Sequence, residues 1–276
     1  MTRGRAVRAA PTAVACTALL LGACSPDLTP AAPRNAEQPT IQSSGGGRPE
    51  ETLHEVRRIG TSLRGRPIRA YRLGGQRAAV RAVVLGSIHG DERAGVAVAR
   101  ALKDGKPVPG FTLWVLPTIN PDGLARGTRT NARGVDLNRN WRHDWAPLAS
   151  PYYSGTRPFS EPESRAFRDF LARVRPRFVV SFHQPFASVG LAGERPGFTA
   201  RLSQELDLRR KRLICTGVCH GTMTDWYNSR FAGTAVTVEF GAHPSRRYLR
   251  GQAAPGTLRA ILGSARVTGR ATLAGG

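Results

Sequence analysis

Four short, continuously apolar runs, near residues 80–88, 111–119, 177–183 and 234–240, limit what this chain can fold into. A strand with one wet face alternates apolar and polar residues, whereas a strand buried on both faces does not. Helical patterns lie between the runs. One covers 94–102; the clearest opens at Ser160, with Glu163 three residues on as a capping box. It continues through Phe167, Phe170, Leu171 and Val174 at i, i+3, i+4 and i+7. Doubly buried strands alternating with amphipathic helices predict an α/β fold: a single domain with a mixed, largely parallel central sheet flanked by helices. The chain has 276 residues and is 40% apolar, enough to bury one such core. Ligands in these folds gather at the C-terminal ends of strands, so the polar residues there are the first candidates for function.

Each run ends in such residues. His89-Gly90-Asp91-Glu92 follows the first and Asn120-Pro121-Asp122-Gly123 the second. The segment Gly134-Val135-Asp136-Leu137-Asn138-Arg139-Asn140-Trp141 comes next. The third run closes in Ser181-Phe182-His183-Gln184-Pro185, and the fourth in Thr237-Val238-Glu239-Phe240-Gly241. A histidine and a glutamate three residues apart at a strand end can turn toward one point. Zn²⁺ takes imidazole nitrogen and carboxylate oxygen, and a catalytic site uses three protein ligands and leaves a position open. A two-position pattern is common by chance; four ordered motifs are not.

Taken together and in this order, over roughly residues 53 to 265, the motifs resemble those of the zinc carboxypeptidase family, the superfamily that includes carboxypeptidase A. The short chain and the His-x-Pro motif are most similar to its murein peptide amidase branch. The resemblance implies one Zn²⁺ per chain on His89, Glu92 and His183, with Glu239 as general base. Asp136 would hydrogen-bond a ligand histidine and fix its tautomer. Asn138 and Arg139 would hold the substrate's free carboxylate, since a planar guanidinium grips a carboxylate with two parallel hydrogen bonds. A further arginine would stabilise the oxyanion. Relatives with a short loop place it nine residues before Asn138, at Arg129, with Arg126 as the alternative. Thr224 falls at the position lining the specificity pocket. No tyrosine precedes the base in the loop Gly217-Val218-Cys219-His220-Gly221, and Tyr227 lies too far along. Both features favour a polar, amphoteric side chain such as diaminopimelate over an aromatic one. The expected activity is therefore hydrolysis of a peptide bond beside a free carboxylate, in murein peptides. Two alternatives stay open: an aspartoacylase-like deacylase of N-acyl amino acids, and a catalytically silent lipoprotein that binds wall peptides.

The N-terminus predicts export. Arg3, Arg5 and Arg8 precede an apolar stretch at 13–21, too short to span a bilayer but long enough for a signal-peptide core. Leu21-Gly22-Ala23-Cys24 resembles a bacterial lipobox, which implies lipidation of Cys24 and a membrane partner through that anchor. The expected organisation is a signal peptide over 1–23, a lipidated N-terminus and flexible linker over 24–50, and a zinc peptidase domain over 51–276. The protein would sit on the outer face of the cytoplasmic membrane or be secreted. Cys215 and Cys219 would form a disulfide in an exported protein, with free thiols or an accessory metal site as alternatives. The formal charge of +22 is nearly all arginine, spread through every segment without interleaved aromatics. Nucleic acid is accordingly not expected as a partner.

Overall fold

The computed structural model describes residues 55–273, apart from 77, 107, 192–195 and 214–217. The signal peptide, Cys24, the linker and Cys215 lie outside the described residues. A hairpin of β1 (Glu55–Thr61) and β2 (Pro67–Leu73) leads into β3 (Val80–Leu85), α1 (Ala94–Lys103) and β4 (Phe111–Leu116). Helix α2 (Pro121–Arg126) and a 3₁₀ turn (Leu137–Arg139) follow. Next come α3 (Pro162–Val174), β5 (Phe178–His183), β6 (Phe186–Gly190), α4 (Pro196–Leu206), β7 (Arg209–Lys211), α5 (Met223–Arg230) and β8 (Thr234–Gly241). The C-terminal segment runs from α6 (Arg246–Tyr248) through a π turn (Leu249–Ala253) into α7 (Ala254–Leu273). No helix among the described residues is long and apolar enough to cross a membrane.

The strands make one sheet in the order β1-β2-β4-β3-β5-β8-β6-β7. The four continuously apolar runs are its centre, β4-β3-β5-β8, and every pair among them is parallel. Antiparallel pairing is confined to the flanks, at β1–β2, β2–β4 and β6–β8. Successive side chains of each central strand feed opposite faces. Ala82, Val84, Val180 and Val236 pack with α1, α4 and α7 on one side. Val83, Leu85, Val179 and Ala235 pack with α3 and α5 on the other. Both faces are thus covered, which is why these strands lack polar alternation.

Ser160 is not the N-cap of α3. The cap is Glu161, in extended backbone (φ −93°, ψ 140°), and Pro162 is the first helical residue. Proline has no N–H to offer and drives the residue before it out of the helical region, which fixes the start one residue later than the capping-box pattern implies. Glu163 is then free to accept from the Leu63 backbone N–H at 2.9 Å in the β1–β2 turn. Asn120 does cap α2, accepting from the Gly123 N–H at 2.9 Å with Pro121 beside it. Asp122 accepts from the Arg64 N–H at 3.0 Å and from Arg66 at 2.6 Å.

Candidate active site

Helix α1 and the turn before it must approach the sheet closely. Glycine allows this: a Cβ on Gly95 would collide with the Gly86 backbone and with Phe182, and one on Gly90 with the backbone of Gly123. The two motifs His-Gly-Asp-Glu and Asn-Pro-Asp-Gly therefore dock on each other through bare backbone. Register does the rest. His183 and Glu239 are partners across β5 and β8, at the last residue of β5. Both continue the strand face that carries Val179 and Ala235, so they project toward α5.

His89, Glu92 and His183 are all buried, and their ligand atoms lie within 4.8 Å of one another. His89 Nδ1 is 2.8 Å from Glu92 Oε1, and His183 Nδ1 is 3.0 Å from Glu92 Oε2. The outer ring nitrogens are also engaged: His89 Nε2 lies 3.0 Å from Asp136 Oδ1 and His183 Nε2 lies 3.2 Å from Ser181 Oγ. Metal-binding imidazoles show this division, one nitrogen inward and the other held by a neighbour. The donor set of two imidazoles and a carboxylate suits Zn²⁺, whose tetrahedral ligands at about 2.0–2.2 Å leave one position open. Burial opposes ionisation of His89, yet Asp136 and Glu92 outweigh it and raise that imidazole to about 9. His89 and His183 likewise hold the Glu92 carboxyl well below the ordinary range against its burial. Asp136 is held low in the same way, by His89 and Arg129.

Arg129 donates through Nε to Asp136 Oδ2 at 2.9 Å and reaches Glu92 Oε1 at 3.4 Å. Arg126 donates instead to the Asn131 carbonyl at 2.9 Å. Of the two arginines, Arg129 is the one that lines the cleft. Asp136 also accepts from the Asn138 N–H at 2.8 Å, starting the 3₁₀ turn that carries Asn138 and Arg139. Asn138 spends its side-chain oxygen on the Met223 N–H at 2.9 Å, which leaves its Nδ2 for a ligand. Arg139 is only 5% exposed. Its NH1 donates to the Asn138 carbonyl at 2.8 Å, and its buried Nε has no partner.

Glu239 Oε2 is likewise buried and unpartnered. Burial pushes this carboxyl above its ordinary value, partly offset by His183. Thr224 hydrogen-bonds Thr237 Oγ1 at 2.8 Å, so α5 is tied to β8 beside the base. These groups, with His143, Gln184, Phe186, Lys211 and Arg212, line one cleft of about 830 Å³. Tyr227 is fully buried and bonded to the Pro176 carbonyl, away from any lid position. Cys219 also lines the cleft and is disulfide-bonded.

The sequence profile of the zinc carboxypeptidase family matches residues 50–188, half of the chain. The chain belongs to the zinc carboxypeptidase family. Murein peptide amidase A of Escherichia coli K12 is 37% identical over 122 residues, which is 39% of this chain and 50% of that protein. Carboxypeptidase A6 of Mus musculus is 32% identical over 167 residues, 48% of this chain and 38% of that protein. The chain thus spans half or less of the length of these curated relatives. In three dimensions it is similar to the carboxypeptidase A of Helicoverpa armigera, with a TM-score of 0.67 over 78% of this chain and 68% of that chain, at 19% identity. It is also similar to the murein-tripeptide amidase of Escherichia coli O157, with a TM-score of 0.57 over 80% and 93% at 25% identity. Glu239 lies outside the matched stretch of the zinc carboxypeptidase family, and β-sheet register is what returns it to the cleft.

Four residues of the site were given no role from sequence. Ser181 faces His183, a placement that i, i+2 spacing on a strand could have shown. Gln184 accepts from the Ala94 N–H at 2.9 Å and donates to the Gly241 carbonyl at 3.1 Å, bracing α1 against β8. The run Arg209-Arg210-Lys211-Arg212 contributes Lys211 and Arg212 to the cleft, and four consecutive cations are visible in the sequence.

Proposed function

We propose that this chain is a zinc-dependent metallocarboxypeptidase or amidase that hydrolyses a peptide bond next to a free carboxylate, in murein peptides. Two buried polar atoms without partners carry this conclusion: Glu239 Oε2 and Arg139 Nε belong to side chains of the cleft that holds His89, Glu92 and His183. An orphaned buried carboxylate oxygen or guanidinium N–H costs about 1–3 kcal/mol, and each is relieved by the ligand it is built for.

Zinc on His89, Glu92 and His183 would supply Lewis-acid polarisation of a carbonyl and lower the pKa of water. Arg139 would take the substrate carboxylate through the Nε and NH2 edge left free by its bond to the Asn138 carbonyl, and Asn138 Nδ2 would add a donor. Arg129 is fixed through Nε by Asp136, and its longer NH1 contact is the one that would turn to a developing oxyanion. Glu239, raised by burial, would accept a proton from the attacking water and return it to the leaving amine. Water is the second reactant: its oxygen bonds to the carbonyl carbon, the C–N bond breaks, and the amine leaves protonated.

The substrate class rests on the 37% identity to murein peptide amidase A and on the polar wall around Thr224. An aspartoacylase-like deacylase is less favoured, because the matched family is that of zinc carboxypeptidases. A silent wall-peptide binder is less favoured too, because the cleft retains metal ligands, base and carboxylate clamp together. We place residues 1–23 as a signal peptide, 24–50 as a tether lipidated at Cys24 and 51–276 as the peptidase, with Cys215–Cys219 as its disulfide. Release of a Cys24→Ala variant from the membrane fraction would support the anchor, and its retention would contradict it. For the activity, the zinc-loaded protein is assayed on murein tripeptide, its terminally amidated analogue, and simple peptides ending in phenylalanine or arginine. The expected order places the tripeptide first and the amidated analogue far behind. Preference for a simple peptide would overturn the murein assignment, and equal cleavage of the amide would overturn the carboxylate clamp.

A further inference from the structure

Tyr152 lies outside every motif in the sequence, yet Arg129 and Arg139 of the cleft both meet it. The Arg129 guanidinium carbon is 5.3 Å from the centre of its ring and that of Arg139 is 5.5 Å away. We propose that Tyr152 is the positioning residue of the arginine pair: its aromatic ring holds the Arg129 and Arg139 guanidinium groups side by side so that both can meet anionic atoms of the substrate. This rests on the assignment above of Arg139 to a carboxylate.

Two like charges converging on one cleft repel each other, and something must keep each from rotating away. Arg129 is held by carboxylates, through Asp136 and Glu92. Among the described residues Arg139 has no carboxylate within ion-pair distance, and its side-chain hydrogen bond goes to the neighbouring Asn138 carbonyl. The aromatic ring supplies what that bond does not, because its negative face attracts a cation without consuming any N–H donor. A carboxylate placed there would instead occupy the N–H edge that a substrate needs. The backbone that carries the ring is itself fixed. The segment around it is stitched to the Asp136–Asn140 turn on its C-terminal side, by Asp136 N–H to the Tyr153 carbonyl at 2.8 Å and Asn140 Nδ2 to the Ser154 carbonyl at 2.8 Å. The Tyr152 N–H closes a turn onto the Ala149 carbonyl at 2.9 Å. The bland alternative is a tyrosine that merely fills space in this loop, and a loss of stability alone would be its signature.

The test compares full-length zinc-loaded protein carrying Tyr152→Phe or Tyr152→Leu with the unaltered chain, each checked for an unchanged melting profile. The readout is selectivity for a free terminal carboxylate over the amidated analogue, in turnover and, by calorimetry, in a Glu239→Gln background where cleavage is slowed on the order of 10² or more. Two ligand pairs are used: murein tripeptide with its amide, and alanyl-phenylalanine with its amide. Tyr152→Phe keeps the ring and should keep the selectivity within about twofold. Tyr152→Leu should lower it about 2- to 30-fold, the range spanned by exposed and desolvated cation–ring contacts. Unchanged selectivity in Tyr152→Leu overturns the proposal whatever the natural substrate, as does a loss in Tyr152→Phe equal to that in Tyr152→Leu. Ring-dependent selectivity for the simple pair with no recognition of the murein pair overturns the murein assignment and supports the role of Tyr152. Absence of selectivity in the unaltered protein for both pairs overturns the two together.

Discussion

The two walls of the cleft are built on different principles. Along 129–140 the groups that set the geometry are committed, with Asp136 serving His89, Arg129 and the Asn138 N–H and Asn138 Oδ1 serving Met223, while Arg139 Nε is left for a ligand. The opposite wall, at the β6–β7 edge, is loose. Phe186 is 64% and Leu191 56% exposed, and Lys211 and Arg212 make no ion pair among the described residues. Atoms that meet charge developing on a reacting group must be held within a fraction of an ångström, which needs a shell of committed partners. Exposed cations on a rim act at longer range, drawing an acidic ligand in and tolerating variation in its shape. The pinned wall is therefore where chemistry should be sensitive, and the loose wall where it should not.

The largest effect expected on this division is that of Glu239→Gln. The amide is nearly isosteric but cannot accept the proton, so kcat should fall on the order of 10² or more while zinc content and substrate binding hold. Near-normal turnover would mean that Glu239 is not the base. Arg139→Lys keeps the charge and loses the planar fork. It should lower kcat/KM about 10- to 100-fold on a substrate with a free carboxylate, the worth of a lost charged hydrogen bond. A drop of the same size on the amidated analogue would detach Arg139 from the carboxylate.

Behind the pinned wall, Asp122 braces α2 against the β1–β2 turn. Asp122→Ala should cost about 1–3 kcal/mol of stability by leaving the Arg64 N–H and Arg66 unpartnered. Burial works against its charge, but the Arg64 N–H and Arg66 prevail and lower its pKa in the folded protein. The stability it contributes is therefore present above the unfolded value of about 3.9 and is lost as pH falls through the lower folded value. The gap in melting temperature between wild type and Asp122→Asn should narrow below about pH 4. A constant gap would show that its charge does not matter. The smallest effect belongs to the loose wall: Lys211→Ala with Arg212→Ala should change kcat/KM only about threefold, and less at high salt. An effect as large as that of Arg139→Lys would erase the contrast between the walls.

The same contrast governs what the sequence reveals. The central strands are legible because burial on both faces writes an unbroken apolar run, and β3, β4, β5 and β8 appear where those runs lie. The flanking strands are not. In β1 charged Arg57 and Arg58 interrupt the pattern, and β7 is three exposed cations, Arg209-Arg210-Lys211, that read as solvated coil. The start of α3 was displaced by Pro162, a local steric effect that overrides the capping-box pattern. At the site, His89, Glu92, His183 and Asp136 come together, and for His183, the last residue of β5, the direction follows from strand parity. Partners contributed by loops, such as Tyr152 for the two arginines, depend on how the loop after the 3₁₀ turn folds back. No periodicity encodes that return.

The central claim, that His89, Glu92 and His183 together hold the catalytic metal, is tested most directly by elemental analysis of zinc-loaded, desalted wild type beside His183→Ala. The account predicts one zinc per chain in the wild type and loss of most of it in the variant, since only His89 and Glu92 of the ligand cluster then remain. Full occupancy in His183→Ala, or a wild type that retains no zinc, would contradict it.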